Sequence, residues 1–167
     1  GLRPTGDRVR ETLFNWLGQT LHGKVCLDLF AGSGALGFEA ASRGAERVVM
    51  IESNEDAIGA LTESKRLLDA SQCEIKRSDA LAYLRRAGCR FDIIFVDPPF
   101  ATGALAEVLH QIGRGDCIAR DGKVYVEWGE PIEPILAAQP EHSWRVVKRG
   151  KAGVVHFALI TAETSAA

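Results

Sequence analysis

The stretch LDLFAGSGALG, residues 27–37, decides how the rest of the chain is read. Gly32, Gly34 and Gly37 stand in the G-x-G-x-x-G spacing of a tight strand-to-helix turn that lets backbone approach a nucleotide closely. The glycines alone do not choose between ligands. A dinucleotide brings its pyrophosphate to the helix N-terminus, and the strand before such a turn is then small and apolar. Here Asp28 lies four residues before Gly32. Its carboxylate opposes a pyrophosphate and suits a ligand that carries an ammonium group. S-adenosylmethionine has that group, a sulfonium cation and no phosphate. Gly32 and Gly34 then let the backbone approach its methionine and ribose portions. Glu52, at the end of the next apolar run, can accept both ribose hydroxyls, which NAD and S-adenosylmethionine share, so it does not discriminate. Asp79 can take the adenine amino group, directly or through its neighbouring backbone.

Outward from this turn, strand and helix patterns alternate. Residues 24–30 read as a strand, 35–44 as a helix closed by Gly44, 47–52 as a strand, and 54–70 as an amphipathic helix with Ile58, Leu61, Leu67 and Leu68 near one face. A weaker strand (73–79), a helix (80–88), a strand apolar on both faces (91–97), a helix (103–113) and a strand (122–128) follow. Ahead of them, Val9, Leu13, Trp16 and Leu17 predict a helix that Asp7 caps. At the end, 143–149 and 153–160 read as an antiparallel hairpin turning over RGKAG, 149–153. The expectation is an α/β fold: a Rossmann-like, mostly parallel seven-stranded sheet with helices on both faces and a C-terminal antiparallel hairpin. One domain is expected over residues 1–167, with an N-terminal helix segment (1–22) and a frayed tail (162–167). Ligands of such sheets bind beyond the carboxyl ends of the strands. The glycine turn, Glu52, Asp79 and the segment after residue 96 are therefore expected on one edge.

That last segment carries the chemistry. In FDIIFVDPPF, residues 91–100, a buried strand ends in Asp97, and Pro98 and Pro99 fix φ and remove two backbone donors. Asp97 is held extended by the proline after it. The corner presents a carboxylate and an unpaired carbonyl beside Phe100. Such a corner suits the exocyclic amine of a planar base, a poor nucleophile because its lone pair is delocalised into the ring. The Asp97 carboxylate and the Pro98 carbonyl can bind its two hydrogens and turn the lone pair toward a methyl group. Phe100 can stack on the base, once that base is flipped or looped out.

Composition bounds the alternatives. With 46% apolar and 25% charged residues the chain reads as an ordinary globular domain, and no apolar run approaches the ~18 residues of a membrane span. Cys26, Cys73, Cys89 and Cys117 have no paired spacing, so reduced thiols and no metal site are expected, and His22, His110, His142 and His156 show no spacing that suggests a site. The net charge of −2 gives no global reason for a polyanion partner, yet residues 1–10 hold three arginines against one acid. Residues 144–153 hold Arg145, Lys148, Arg149 and Lys151 with no acid, and the hairpin is expected to bring them beside the ligand cleft.

DLFAGSGALGFEAASRGA with FDIIFVDPPF resembles the class I S-adenosylmethionine-dependent methyltransferases that act on amines. RPTGDRVRETLFNWL (3–17) and KAGVVHFAL (151–159) narrow the resemblance to the bacterial enzymes that methylate the N2 amine of a guanine in 16S ribosomal RNA. It covers nearly the whole chain. It implies a cytoplasmic, monomeric enzyme that acts on 16S rRNA or the small ribosomal subunit and releases S-adenosylhomocysteine. By it, Asp28, Gly32, Gly34, Glu52 and Asp79 contact the cofactor, with Phe30, Ser53 and Ala80 beside them. Asp97, Pro98, Pro99 and Phe100 form the catalytic corner. Thr5 and Arg10 close over the methionine end, and Arg3, Arg8, Lys148, Arg149 and Lys151 are the candidate RNA-binding residues. Members usually carry a basic β-hairpin ahead of the RPT segment, whereas this chain opens at Gly1. Without that hairpin, cofactor binding is expected to survive while RNA affinity falls. Two other readings stay open: an adenine-N6 DNA methyltransferase, since a D-P-P-aromatic corner also serves that amine, and a non-catalytic dinucleotide-binding module.

Overall fold

The computed structural model describes residues 6–99 and 104–162. The chain divides by its internal contacts into two compact units, residues 1–80 and 81–167. In the first, helix α1 (Asp7–Leu17) precedes strand β1 (Val25–Asp28), helix α2 (Ala35–Ser42), strand β2 (Arg47–Glu52), helix α3 (Glu55–Leu68) and strand β3 (Cys73–Arg77). β1 and β2 run parallel with Asp28 opposite Met50, and β2 and β3 run parallel with Glu52 opposite Arg77. Val48, Val49, Met50 and Ile51 are all buried, which is why this run carries no alternation.

The second unit holds helix α4 (Ala80–Arg86, entering from the first), strand β4 (Phe91–Val96), helix α5 (Ala104–Arg114), strand β5 (Ile118–Trp128), helix α6 (Glu133–Ala137), a 3-10 turn (Pro140–His142), and strands β6 (Trp144–Ala152) and β7 (Val155–Ala162). β4 and β5 are parallel; β7 is antiparallel to both β5 and β6. The strand order is β3-β2-β1-β4-β5-β7-β6, the mostly parallel sheet with a terminal antiparallel hairpin read from the alternation of patterns. Among the described residues no helix is long and apolar enough to cross a membrane.

Several local expectations are corrected. Asp7 does not cap α1: Gly6 holds the cap position, and Asp7 is the first helical residue, paired with Arg10 at 2.8 Å. Val9, Leu13 and Phe14 form the buried face of this helix, while Trp16 and Leu17 are half-buried. In α3, Leu61 is buried but Leu67 and Leu68 are 68% and 61% exposed. The helix ends at Leu68, Asp69 turns at φ 52°, and Ala70 becomes the next buried residue.

β5 starts four residues earlier than the expected strand, and residues 119–122 bulge between the rungs Phe91↔Ile118 and Ile93↔Lys123. Gly122 is required there: a Cβ would lie 2.7 Å from Ile118 Cγ1 and 2.8 Å from the Ala119 carbonyl oxygen. The hairpin turns at Gly153 and Val154, beyond the rung Ala152↔Val155, and not over RGKAG. Arg149, Gly150 and Lys151 belong to β6, opposite Ala158, Phe157 and His156.

Candidate functional site

The glycine turn is built by backbone geometry that side chains resist. Gly32 and Gly34 sit at φ 54° and 86°, in the left-handed region. The Ala31 amide donates to the Ile51 carbonyl (2.9 Å) and the Gly34 amide to the Ala31 carbonyl (2.7 Å). A Cβ on Gly34 would fall 2.4 Å from the Phe38 ring, whereas among the described residues one on Gly32 would meet nothing nearer than the Phe30 carbonyl at 4.0 Å. The turn is therefore closed behind Gly34 and open in front of Gly32.

Helix α2 starts at this turn without a side-chain cap of its own, because Gly34 holds the cap position. Asp28 substitutes from the end of β1: its Oδ2 accepts the Gly37 amide at 3.0 Å. That amide is one of the first N–H groups of a helix, which lack intrahelical partners. Gly37 is needed for the approach, since a Cβ would lie 2.8 Å from Met50 Cε and 3.1 Å from Asp28 Oδ2. Asp28 is only 3% exposed. Burial, opposed by the Gly37 hydrogen bond and reinforced by the Glu52 charge, pushes its carboxyl up to about 7.

Glu52 closes the other side. One oxygen accepts the Gly32 amide (2.9 Å) and the other the Asn54 amide (2.8 Å). Its carbonyl takes the Ser78 amide at 3.1 Å, which ties the end of β2 to the residue before Asp79. Asp79 and Ser53 are exposed, Ala80 is buried and Phe30 is half-buried. Asp28, Gly32 and Glu52 are thus gathered into one hydrogen-bonded and electrostatically coupled group. Arg10 is engaged by Asp7 at 2.8 Å and Glu39 at 3.8 Å, and Arg8 is exposed. Arg3, Thr5 and Phe100 lie outside the described residues.

In the second unit β4 delivers Asp97 half-buried, followed by buried Pro98 and exposed Pro99. On β5 the Tyr125 hydroxyl donates to Glu127 Oε1 at 2.5 Å, and the Tyr125 ring meets Phe95 edge-on with centroids 6.4 Å apart. Burial and the charges of Glu127 and Asp97 hold the Tyr125 phenol far above its ordinary range, so it stays protonated. This pair is absent from the motif-based reading; the signal was a lone acid inside the apolar run VYVEW. Of the basic run, Lys148 and Lys151 are exposed, while Arg149 is paired with Glu133 of α6.

A histidine pair was also missed, because its members lie 32 residues apart. His110 Nδ1 and His142 Nε2 are 2.9 Å apart, with Glu141 Oε1 at 3.7 and 3.6 Å, a grouping whose donor atoms could hold a metal ion. The hydrogen bond joins α5 to the 3-10 turn. Cys26, Cys73 and Cys117 are buried free thiols and Cys89 is half-buried. Burial pushes Cys73 and Cys117 up to about 11, away from reactive thiolate.

A parallel sheet whose last strand in sequence runs antiparallel between its neighbours, with an acid-backed glycine turn after the first strand, defines a Rossmann-like methyltransferase. The fold is shared with precorrin-6y C5,15-methyltransferase from Geobacter metallireducens, at a TM-score of 0.78 and 16% identity over 97% of this chain and 90% of that one; the likeness concerns the fold alone. The chain belongs to the family described as conserved hypothetical protein 95, whose model matches residues 1–161. It is similar to ribosomal RNA small subunit methyltransferase D of Escherichia coli (strain K12), 39% identical over 163 residues that cover 98% of this chain and 81% of that protein. A solved structure from Escherichia coli superposes at a TM-score of 0.86, with 38% identity over 99% of this chain and 90% of that one.

Proposed function

We propose that this chain transfers a methyl group from S-adenosylmethionine to the exocyclic N2 amine of a guanine in 16S ribosomal RNA. The observation that carries the reading is the Asp97 corner: a half-buried carboxylate at the end of a buried strand, followed by two prolines. The name of the relative, ribosomal RNA small subunit methyltransferase D, supports the nucleic acid.

The residues of the first unit suit the donor. The turn is open in front of Gly32, where a side chain would stand in the way of a ligand. Glu52 has used one lone pair on each oxygen and keeps others for ribose hydroxyls. Asp28 titrates near neutrality, so a bound cation draws it into the ionised form and gains its charge. Asp79 and Ala80, with Ser53 and Phe30, serve the adenosine end. When bound, the donor supplies a methyl group on a sulfonium and leaves as S-adenosylhomocysteine.

Asp97 and the Pro98 carbonyl accept the two amine hydrogens and direct the nitrogen lone pair at the methyl carbon. Phe100 stacks on the base. Little acid–base help is needed, and holding the nitrogen in line supplies much of the rate. Lys148, Lys151, Arg3 and Arg8 take RNA phosphates, with Thr5 and Arg10 closing the methionine end. This reading implies a cytoplasmic enzyme, taken to be a monomer, that works on 16S rRNA or the small subunit.

Asp97→Ala tests the corner. Methyl transfer to small ribosomal subunits should fall by at least about a hundredfold. S-adenosylmethionine binding measured by calorimetry should hold. A variant that keeps its rate removes Asp97 from the chemistry.

A further inference from the structure

Glu127 is a lone acid in the buried run of β5 and is 9% exposed. A carboxylate in such a place is costly unless it is hydrogen-bonded. Among the described residues its side chain has one hydrogen-bond partner, the Tyr125 hydroxyl on Oε1. That donor is a single hydrogen, so Oε2 keeps its accepting capacity.

The register sets this carboxylate beside the Asp97 corner. β4 and β5 run parallel with Phe95↔Tyr125 and Val96↔Val126 as their last rungs, so the next step brings Asp97 level with Glu127. Residues two apart on a strand share a face, and the edge-on contact of the Phe95 and Tyr125 rings shows that Phe95 and Tyr125 share this one. The Asp97 charge also acts on the Tyr125 hydroxyl, in keeping with that register. Two carboxylates thus stand at neighbouring positions at the ends of adjacent strands, and on Glu127 the Tyr125 hydroxyl engages Oε1.

A ligand edge that matches two neighbouring acceptors has two neighbouring donors. Guanine offers N1–H beside its N2 amine. Adenine offers a lone pair at N1 beside its N6 amine, which a carboxylate repels. A glutamine amide offers its amine with no second donor beside it. Resting on the methyl-transfer reading above, we infer that Glu127 is the residue that makes this site select guanine, its Oε2 accepting N1–H while Asp97 takes the N2 amine.

The test compares two small-subunit RNAs once the methylated guanosine has been mapped: the natural one, and one ligated with 2-aminopurine at that position. 2-Aminopurine keeps the amine, replaces N1–H by a lone pair and lacks O6, and the Glu127 variant separates the N1 effect from the O6 effect. The unmodified enzyme should methylate guanosine at least about tenfold faster than 2-aminopurine, because the unmatched acceptor is left facing a lone pair. In Glu127→Gln the Tyr125 hydroxyl holds the amide oxygen and turns the amide N–H₂ toward the base. Its preference should fall to unity or invert toward 2-aminopurine, with S-adenosylmethionine affinity unchanged. Tyr125→Phe, which releases Glu127, should weaken the preference in the same direction. Equal rates of the unmodified enzyme on the two RNAs overturn the inference without any variant, and so does a Gln variant with the original preference. Failure of the underlying reading shows separately, as no label in guanosine at all.

Discussion

Asp28 joins two demands that oppose each other. Its side chain supplies the amide partner that Gly34 cannot give to α2, yet it does so 3% exposed, where burial disfavours charge. The unfolded carboxyl loses its proton near 3.8, while the folded one holds it to about 7. Between these values the folded chain binds more protons than the unfolded one. Asp28 therefore lowers stability as pH rises from about 4 to 7, by on the order of 4 kcal/mol once fully ionised. Asp28→Asn keeps an oxygen for the Gly37 amide and cannot ionise. Its melting temperature should exceed that of the unmodified protein at pH 8, and the gap should close toward pH 5. S-adenosylmethionine binding should tighten from pH 6 to 8 in the unmodified protein and be weaker and flat with pH in the variant. A variant that melts lower at pH 8 contradicts this account of the buried carboxyl. At this scale the sequence named Asp28, Glu52 and Asp97, because motif spacing and a preceding strand determine position. It did not show that Asp28 is buried or that Glu127 lies level with Asp97, since burial and cross-strand register arise from contacts distant in the chain.

The hairpin formed by β6 and β7 shows what local pattern settles and what it leaves open. Both strands were legible from their β-branched and aromatic residues. The turn was not, because Gly150 reads as a turn signal while serving another need: a Cβ there would lie 2.4 Å from the Phe157 ring. Likewise Leu67 and Leu68 stay exposed: Leu67 lies about 120° around α3 from buried Leu61, and Leu68 is the last residue of the helix. The same element carries the proposed RNA contacts. Lys148 and Lys151 are exposed, and Arg149 is held by Glu133. Replacing both lysines by alanine should weaken RNA binding and reduce the slope of log affinity against log salt by about 1.5. Arg149→Ala should change that slope by less, because its charge is already compensated in the free protein. Unaltered slopes in filter-binding titrations of the double variant exclude this face from the RNA contact.

At the scale of the whole molecule, alternation of strand and helix patterns was enough to predict the sheet class, because parallel strands need crossovers and only a few orders satisfy that rule. The bulge in β5 escaped because residues 119–122 contribute no apolar pattern. Belonging to the family whose model matches residues 1–161 adds a lineage to the fold, and the Asp97 corner proposes the chemistry. Product identity tests that combination most directly. The protein should be incubated with methyl-labelled S-adenosylmethionine and, separately, unmodified small ribosomal subunits, bare 16S RNA and DNA, and each product digested to nucleosides. Label in N2-methylguanosine from ribosomal RNA is the predicted result. Label in N6-methyladenine from DNA would keep the corner's mechanism and contradict both the substrate and the reading of Glu127.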